Sequence, residues 1–509
     1  MESKRYRTEE SKGEVPRRGS MLQMSPYERK IGKSISLCSK CLGEGKVRGP
    51  LSKKARAQAK SHQYNSTDDN GATNKSSANF VPPMKLCVIC DGSGLVTNPL
   101  PPTPMGNEDE ETHLNVVVSQ HSPLSVAIIG GGIGGIALAA ALQHRNIDCV
   151  VYERDISFEE RKQGYGLTMQ QGARALRSLG FFSLTDCDGE MEVDGHDSSM
   201  QSLDNQLGTC ANYDGIPRSK FGIHSKRHVV HLPDGTVVGE WGMQVWGGRF
   251  EKNGRKHAKR QNAHISRQNL RKLLMDMLKP GTIRWGYKLV DYTERRIDCD
   301  DANTDNLNMN LTFHCRRHEG AEVECDDNLI TASASLLVGC DGIRSSVRAK
   351  KLGEDAAPLR YLGCIVILGI GRSPDSQLTN GETVFQTADG VTRLYAMPFS
   401  QPGGDESSEH GLSMWQLSFP MEECDAKNLS ALGPTALRSE ALKRCGQWHD
   451  PIPALLLQTQ DDLITGYPCY DRALVEKRAF RDGCNSSAVD SFVTMLGDAA
   501  HPMSPFKGE

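Results

Sequence analysis

The chain has 509 residues, with 60 lysines and arginines against 63 acidic residues and a formal net charge of -3. That near-neutral balance argues against a nucleic-acid or acidic-membrane partner for the whole chain. Hydrophobic residues make up 38% of it while mean hydropathy is low, which fits a globular body of two or three domains carrying polar segments. The 16 cysteines are mostly scattered singly, and no secretory apolar run opens the chain. Cytoplasmic residence is therefore expected, where a reducing environment disfavours a disulfide framework.

In chain order, residues 1–35 read as a polar leader, locally basic at Lys4, Arg5, Arg7, Arg17 and Arg18. A solvated charged tail is the simpler reading; an RNA- or membrane-binding patch is the alternative. Residues 36–98 hold a repeated motif: Cys38-Ser-Lys-Cys41-Leu-Gly43-Glu-Gly45 recurs as Cys87-Val-Ile-Cys90-Asp-Gly92-Ser-Gly94. Two residues between cysteines place both thiolates on one side of a tight knuckle, and two knuckles supply the four sulfurs of a tetrahedral zinc site. The following glycines let backbone amides turn towards sulfur. Each half resembles the CxxCxGxG repeat of DnaJ-type chaperone zinc domains, which implies structural zinc on Cys38, Cys41, Cys87 and Cys90 and a possible protein partner for the module. Two redox-active CxxC pairs are the chief alternative. Residues 99–123 form a Pro-rich and acidic linker, with Pro99, Pro101, Pro102 and Pro104 before Glu108–Glu111. Outside the knuckles, residues 1–123 are expected to be disordered.

The body is expected over 124–509. Its first apolar stretch, Leu124 to Leu142, is long enough for a membrane span, but its glycines at 130, 131, 132, 134 and 135 fit a strand–turn–helix better. Val126–Ile129 reads as a buried strand and Ile136–His144 as a helix. Gly130 allows the tight turn, Gly132 lets the backbone approach a pyrophosphate, and Gly135 lets helix and strand pack closely. The helix N-terminus offers N–H groups and a partial positive charge to phosphates. A second strand, Cys149–Tyr152, ends at Glu153, placed to hydrogen-bond a ribose hydroxyl. That acid favours an unphosphorylated ribose, hence FAD or NAD.

Four segments decide between them, three of them beyond the second strand. Glu153-Arg154 closes the second strand; Ile265-Ser-Arg267-Gln-Asn-Leu270 opens a helix; Gly339-Cys-Asp341-Gly342-Ile-Arg-Ser345-Ser-Val347-Arg348 follows an apolar strand; and Gly497-Asp498-Ala-Ala-His501-Pro502-Met-Ser-Pro505-Phe-Lys-Gly508 follows another. Together these residues resemble the FAD-dependent aromatic hydroxylases of para-hydroxybenzoate and salicylate hydroxylase type. The resemblance implies an α/β fold: a Rossmann-like FAD-binding domain with a β-rich substrate domain drawn from about 190–265 and 355–470, plus the small zinc-ribbon-like segment.

It further implies that Arg267 reaches the FAD, that Asp341 and Gly342 serve FAD and the NAD(P)H path, that Asp498 binds a ribityl hydroxyl, and that the Pro505–Gly508 backbone lies against the isoalloxazine. The implied chemistry is a monooxygenase reaction: NAD(P)H reduces FAD, O2 adds at the flavin C4a carbon, and the hydroperoxide delivers one oxygen to an aromatic or polycyclic small molecule. A flavin reductase on the same scaffold, or a non-catalytic zinc-knuckle protein, are the competing readings. No side chain is nominated as a catalytic acid or base; such a group is expected on 210–250 or 360–420. Tyr213, Trp246, Tyr395 and Trp415 are candidate pocket aromatics, though lone aromatics more often belong to a core. The resemblance also implies a second GxG turn and a helix beyond Glu509, so the sequence is expected to be incomplete.

Overall fold

The computed structural model describes residues 25–26, 33–41, 44, 46–48, 84–90, 94–99, 124–160, 165–169, 172, 175–176, 179, 223–242, 262–294, 309–316, 329–400, 411–475 and 492–502. Most of the leader, most of the Pro-rich linker, Tyr213, Trp246, Pro505 and Gly508 lie outside the described residues.

A five-stranded sheet, ordered Ile283–Trp285, Asp148–Glu153, Ser125–Ile129, Leu336–Gly339, Val493–Met495, organises the nucleotide-binding half. Every neighbouring pair is parallel. Its central strands are apolar on both faces because both faces are covered. On one side lie the helices Ile133–Gln143 and Arg267–Asp276. The first buries Gly135, Ile136, Ala139, Ala140 and Gln143, one stripe at helical spacing. The second starts at Ser266, whose hydroxyl accepts from the Asn269 N–H at 3.1 Å and so satisfies one of the free donors of the first turn.

On the other side lies an antiparallel sheet of Tyr287–Glu294, Met309–Cys315 and Leu329–Ala334. Its middle strand alternates, sending Met309, Leu311 and Phe313 into the core against Ala127, Ile129 and Val150. Phe313 stacks on Tyr152 with centroids 4.3 Å apart. Burying each of these side chains contributes about 2 kcal/mol.

The second half is a seven-stranded sheet, ordered Val237–Gly242, Arg227–His231, Thr383–Ala388, Arg393–Ser400, Leu412–Pro420, Leu359–Arg372, Ile464–Arg472. Within the β-rich stretch expected over 355–470, Leu359–Arg372 and Leu412–Pro420 are antiparallel partners, with Ile365 opposite Phe419 and Ile370 opposite Met414. Residues 355–470 also form three helices that the sequence reading did not name: Glu423–Ala431, Pro434–Cys445 and Ile452–Gln458. Leu437, Ala441 and Cys445, four residues apart, give the middle helix its buried stripe against one face of the sheet. Trp415 belongs to that covered face, fully buried, with its indole N–H donating to Thr459 Oγ1 at 2.9 Å. It is core and not pocket. Tyr395 lies on the opposite face with Val384, Met397 and Met414.

A small antiparallel sheet of Gly166–Met169, Asn262–Ser266 and Ile223–Ser225 joins the halves. Ile265 packs into the nucleotide-side core, while the Gly166 N–H donates to Met414 Sδ at 2.9 Å. Among the described residues no helix is long and apolar enough to cross a membrane, and Leu124–Leu142 is indeed strand, turn and helix.

Candidate functional site

The carboxyl ends of the parallel strands meet in one crevice, and glycine makes the meeting possible. Gly130 has φ +106°, and a methyl group there would sit 2.4 Å from the Cys340 carbonyl oxygen, so the chain leaving strand Ser125–Ile129 passes too close to the end of its parallel neighbour Leu336–Gly339 for any side chain. A methyl on Gly135 would meet the Gly130 carbonyl oxygen at 2.0 Å, which is the helix–strand contact expected of that position. Gly132 differs: a methyl there would find nothing within 4 Å. Gly342 (φ +81°) and Gly497 (φ +61°) are likewise open, and Leu496 packs near Gly134. Three strand ends thus leave free volume beside the N-terminus of the helix Ile133–Gln143. That helix has no acid in its first turn and no side-chain cap, so its dipole and free N–H groups are available to an anion.

Glu153 is buried beneath the glycine loop. Its Oε2 accepts from the Gly131 N–H at 2.6 Å and its Oε1 from the Asp155 N–H at 3.1 Å. A ribose hydroxyl would therefore share this carboxylate with the loop. Arg154, next to it, is exposed. Sequence reasoning did not single out Arg271. Its Nε donates to the Gly131 carbonyl at 2.7 Å, its guanidinium lies 3.9 Å from Glu153, and it is sandwiched between the Phe158 and Trp285 rings, each 5.3 Å away. Arg271 and Glu153 together hold the backbone on either side of Gly131, one at its carbonyl and the other at its N–H. The signal was weak because the clamp joins four separate segments.

Arg267, four residues earlier on the same helix, sits at the boundary with the seven-stranded sheet. It donates to the Tyr165 hydroxyl at 2.7 Å, and its charge is felt by Tyr467, whose phenol burial pushes well up. Asp341 caps the helix Ser346–Leu352: its Oδ2 accepts from the Ser346 N–H at 2.8 Å and the Val347 N–H at 3.3 Å, while Ser345 Oγ accepts from the Arg348 N–H at 2.9 Å. Its buried Oδ1, like Nε and Nη1 of the buried Arg348, has no partner among the described residues. Arg348 Nη2 donates to the Ala500 carbonyl at 3.0 Å, tying this segment to the Gly497–Ala499 turn. Asp498 and His501 on that turn are exposed.

The open glycines, the uncapped helix and the orphaned Asp341 oxygen fit a dinucleotide. Gly130, Gly132, Glu153, Asp341, Gly342 and Asp498 all lie at these adjoining strand ends, whereas Arg267 stands at the sheet boundary.

The four knuckle cysteines form a separate cluster. Strands Lys33–Leu37 and Leu95–Pro99 pair antiparallel, as do Lys46–Arg48 and Met84–Leu86. All four Sγ atoms are buried and lie within 4.8 Å of one another. Cys38 and Cys87 Sγ are 3.7 Å apart and Cys41 and Cys90 Sγ 3.6 Å. A disulfide needs about 2.05 Å; sulfurs around a tetrahedral zinc at about 2.3 Å stand about 3.8 Å apart. The Gly94 N–H donates to Cys90 Sγ at 3.2 Å, from a residue with φ +81°. Burial pushes the Cys87 thiol up, but the Ile89 and Cys90 N–H groups and the neighbouring thiols outweigh it and bring it down to about 7. Ile35 of this module packs against the core beside the helix Ile133–Gln143.

Comparison with known proteins agrees with this architecture. The NAD(P)-binding Rossmann-like domain family matches residues 128–181. Aurachin C monooxygenase/isomerase of Stigmatella aurantiaca is 26% identical over 390 residues, 76% of each chain. Chloroplastic zeaxanthin epoxidase of Capsicum annuum is 26% identical over 387 residues, 76% of this chain but 46% of the epoxidase, so the chain spans less than half of that relative's length. The solved 2,6-dihydroxypyridine-3-hydroxylase of Arthrobacter nicotinovorans shares the fold at a TM-score of 0.50 and 16% identity, covering 76% of this chain and 79% of that one. In its parallel sheet, glycine turn and β-rich second domain, and in sequence, the chain is similar to FAD-dependent monooxygenases of the aromatic hydroxylase type.

Proposed function

We propose that the protein is a FAD-dependent, NAD(P)H-consuming monooxygenase that places one oxygen atom of O2 into an aromatic or polycyclic small molecule. The observation that carries this reading is the convergence of Gly130–Gly135, Glu153, Asp341–Gly342 and Gly497–Asp498 at adjoining strand ends beside the seven-stranded sheet. Relatives named as a monooxygenase/isomerase and as an epoxidase support it. When bound, FAD supplies the electron transfer and the activation of O2.

The chain's own groups hold and shield. The open backbone at Gly132 and the helix N-terminus take the pyrophosphate. Glu153, held by Gly131 and flanked by Arg271, receives a ribose hydroxyl, and Asp498 a ribityl hydroxyl. The apolar face bearing Val384, Met397 and Met414 keeps water from the reacting centre. The test is reconstitution: protein mixed with FAD should turn yellow, and an aromatic or polyene substrate should stimulate NAD(P)H oxidation with matching O2 uptake. Protein that stays colourless in excess FAD contradicts the reading.

We also infer that Cys38, Cys41, Cys87 and Cys90 hold one structural zinc, in a module able to meet a protein partner. About one zinc per chain should co-purify and be lost in Cys87→Ser. Metal-free wild-type protein with the flavin body folded would reject the site.

A further inference from the structure

Two free cysteines face each other across the seven-stranded sheet, outside both sites described above. The strands Leu359–Arg372 and Ile464–Arg472 pair antiparallel, in step from Gly369 opposite Ile464 to Ile365 opposite Pro468. One step further, the same register sets Cys364 opposite Cys469. Directly opposite residues of an antiparallel pair stand about 4.5–5.5 Å apart at Cα. A disulfide spans Cα atoms about 4.4–6.8 Å apart. The ladder then slips before Tyr361 meets Tyr470, so Leu362 and Gly363 are the extra residues of a bulge, and Gly363 takes φ +73°. Cys364 thus ends the regular ladder, where a small backbone shift breaks no regular pairing with the edge strand. Strand alternation puts Cys364, Val366 and Leu368 on one face, and Cys469 packs with them there, while Ile365 and Ile367 point to the helix side. Cys469 is 1% exposed and Cys364 is half-buried.

We propose that Cys364 and Cys469 form a thiol–disulfide site, oxidised by hydroperoxides and restored by thiol reductants. Cys364, the more accessible of the two, meets the oxidant, and the buried Cys469 resolves it. Contact with Cys469 holds the Cys364 thiol below the usual cysteine range, against the effect of burial. Contact with Cys364 and burial push the Cys469 thiol well up, so it keeps its proton. The Cys364 thiolate attacks one oxygen of hydrogen peroxide. An S–O bond forms, the O–O bond breaks, and the departing hydroxide takes up the proton that Cys364 released. Cys469 sulfur then attacks the Cys364 sulfur of the sulfenic acid. An S–S bond forms, the S–O bond breaks, and water leaves with the Cys469 proton. Two thiols lose two electrons, and one peroxide is reduced to two waters. The bond staples the edge strand of the sheet. That strand also carries Arg472, whose Nε donates to the Ile343 carbonyl at 2.8 Å, so the staple lies beside a link to the Asp341–Arg348 segment. In a reducing compartment such a bond is a transient, redox-responsive one. The site requires neither flavin nor zinc, so it stands apart from the monooxygenase reading.

The test treats the full chain, as purified, with hydrogen peroxide, blocks the remaining thiols with iodoacetamide, and maps non-reduced peptides by mass spectrometry. A peptide pair cross-linked through Cys364 and Cys469 should appear, and dithiothreitol should remove it. Cys149 and Cys445, each at most 1% exposed, are internal controls and should oxidise at least about tenfold more slowly. Cys469→Ser should stop at a sulfenic acid on Cys364, which dimedone traps. Cys364→Ser should leave Cys469 a free thiol. Where a serine variant does not fold, the wild-type cross-link decides. Folded wild type whose Cys364 and Cys469 both still alkylate after peroxide, or whose Cys364 links to another cysteine, overturns the site. Folded Cys469→Ser protein that takes up no dimedone at Cys364 overturns the assigned order of attack.

Discussion

At the floor of the crevice a methyl group on Gly135 would press on a carbonyl oxygen at 2.0 Å; at its mouth a methyl group on Gly132 would meet nothing within 4 Å. The two lie three positions apart, within one motif. The floor position is glycine because the protein's own backbone fills the space, as Gly130 is against Cys340. The mouth position has no such reason among the described residues, and in the proposed function it leaves room for the ligand. A glycine-rich loop thus divides into residues that hold the fold and residues that leave room, and substitutions separate them.

The largest effect is expected at the floor. Gly135→Val should cost about 3 kcal/mol or more, because the neighbour is backbone and cannot move aside. Chemical denaturation measures it; a wild-type midpoint would mean that the helix and strand are not so closely packed. At the mouth, Gly132→Leu should leave the midpoint near wild type and weaken FAD binding by about 100-fold or more, read by fluorescence titration. If Gly132→Leu instead lowers the midpoint and leaves FAD affinity unchanged, the division is reversed. The smallest effect belongs to the rim. Asp498→Ala removes one exposed hydrogen-bonding carboxylate and should weaken FAD by about tenfold, with no change in stability. Unchanged affinity would take Asp498 out of the site.

The parallel half was legible because its signals are local. A buried strand, a glycine turn and an apolar helix follow one another within Ser125–Gln143, and each strand end announces itself by a glycine or an acid. The cysteine knuckles were legible for the same reason, although the halves of that cluster come from positions 49 apart. What escaped depends on tertiary neighbours. Nothing in the run Arg267–Asp276 marks Arg271 above Arg267, since the Phe158 and Trp285 rings that hold Arg271 arrive from other segments.

Glu153 was placed correctly at its strand end, but its bond to Gly131 is visible only in three dimensions. The antiparallel half was read as sheet, and its helices were passed over because Leu437, Ala441 and Cys445 make a thin stripe among polar residues. Trp415 and Tyr395 could not be told apart by type. Strand direction puts one under the helices and the other on the open face.

The most direct measurement is a crystal structure of the full chain grown with FAD. The account predicts the pyrophosphate against the Gly132 backbone at the helix N-terminus, a ribose hydroxyl on Glu153, and the ribityl chain beside Asp498. Density for the nucleotide anywhere other than between these strand ends, with the Gly132 face empty, would contradict it.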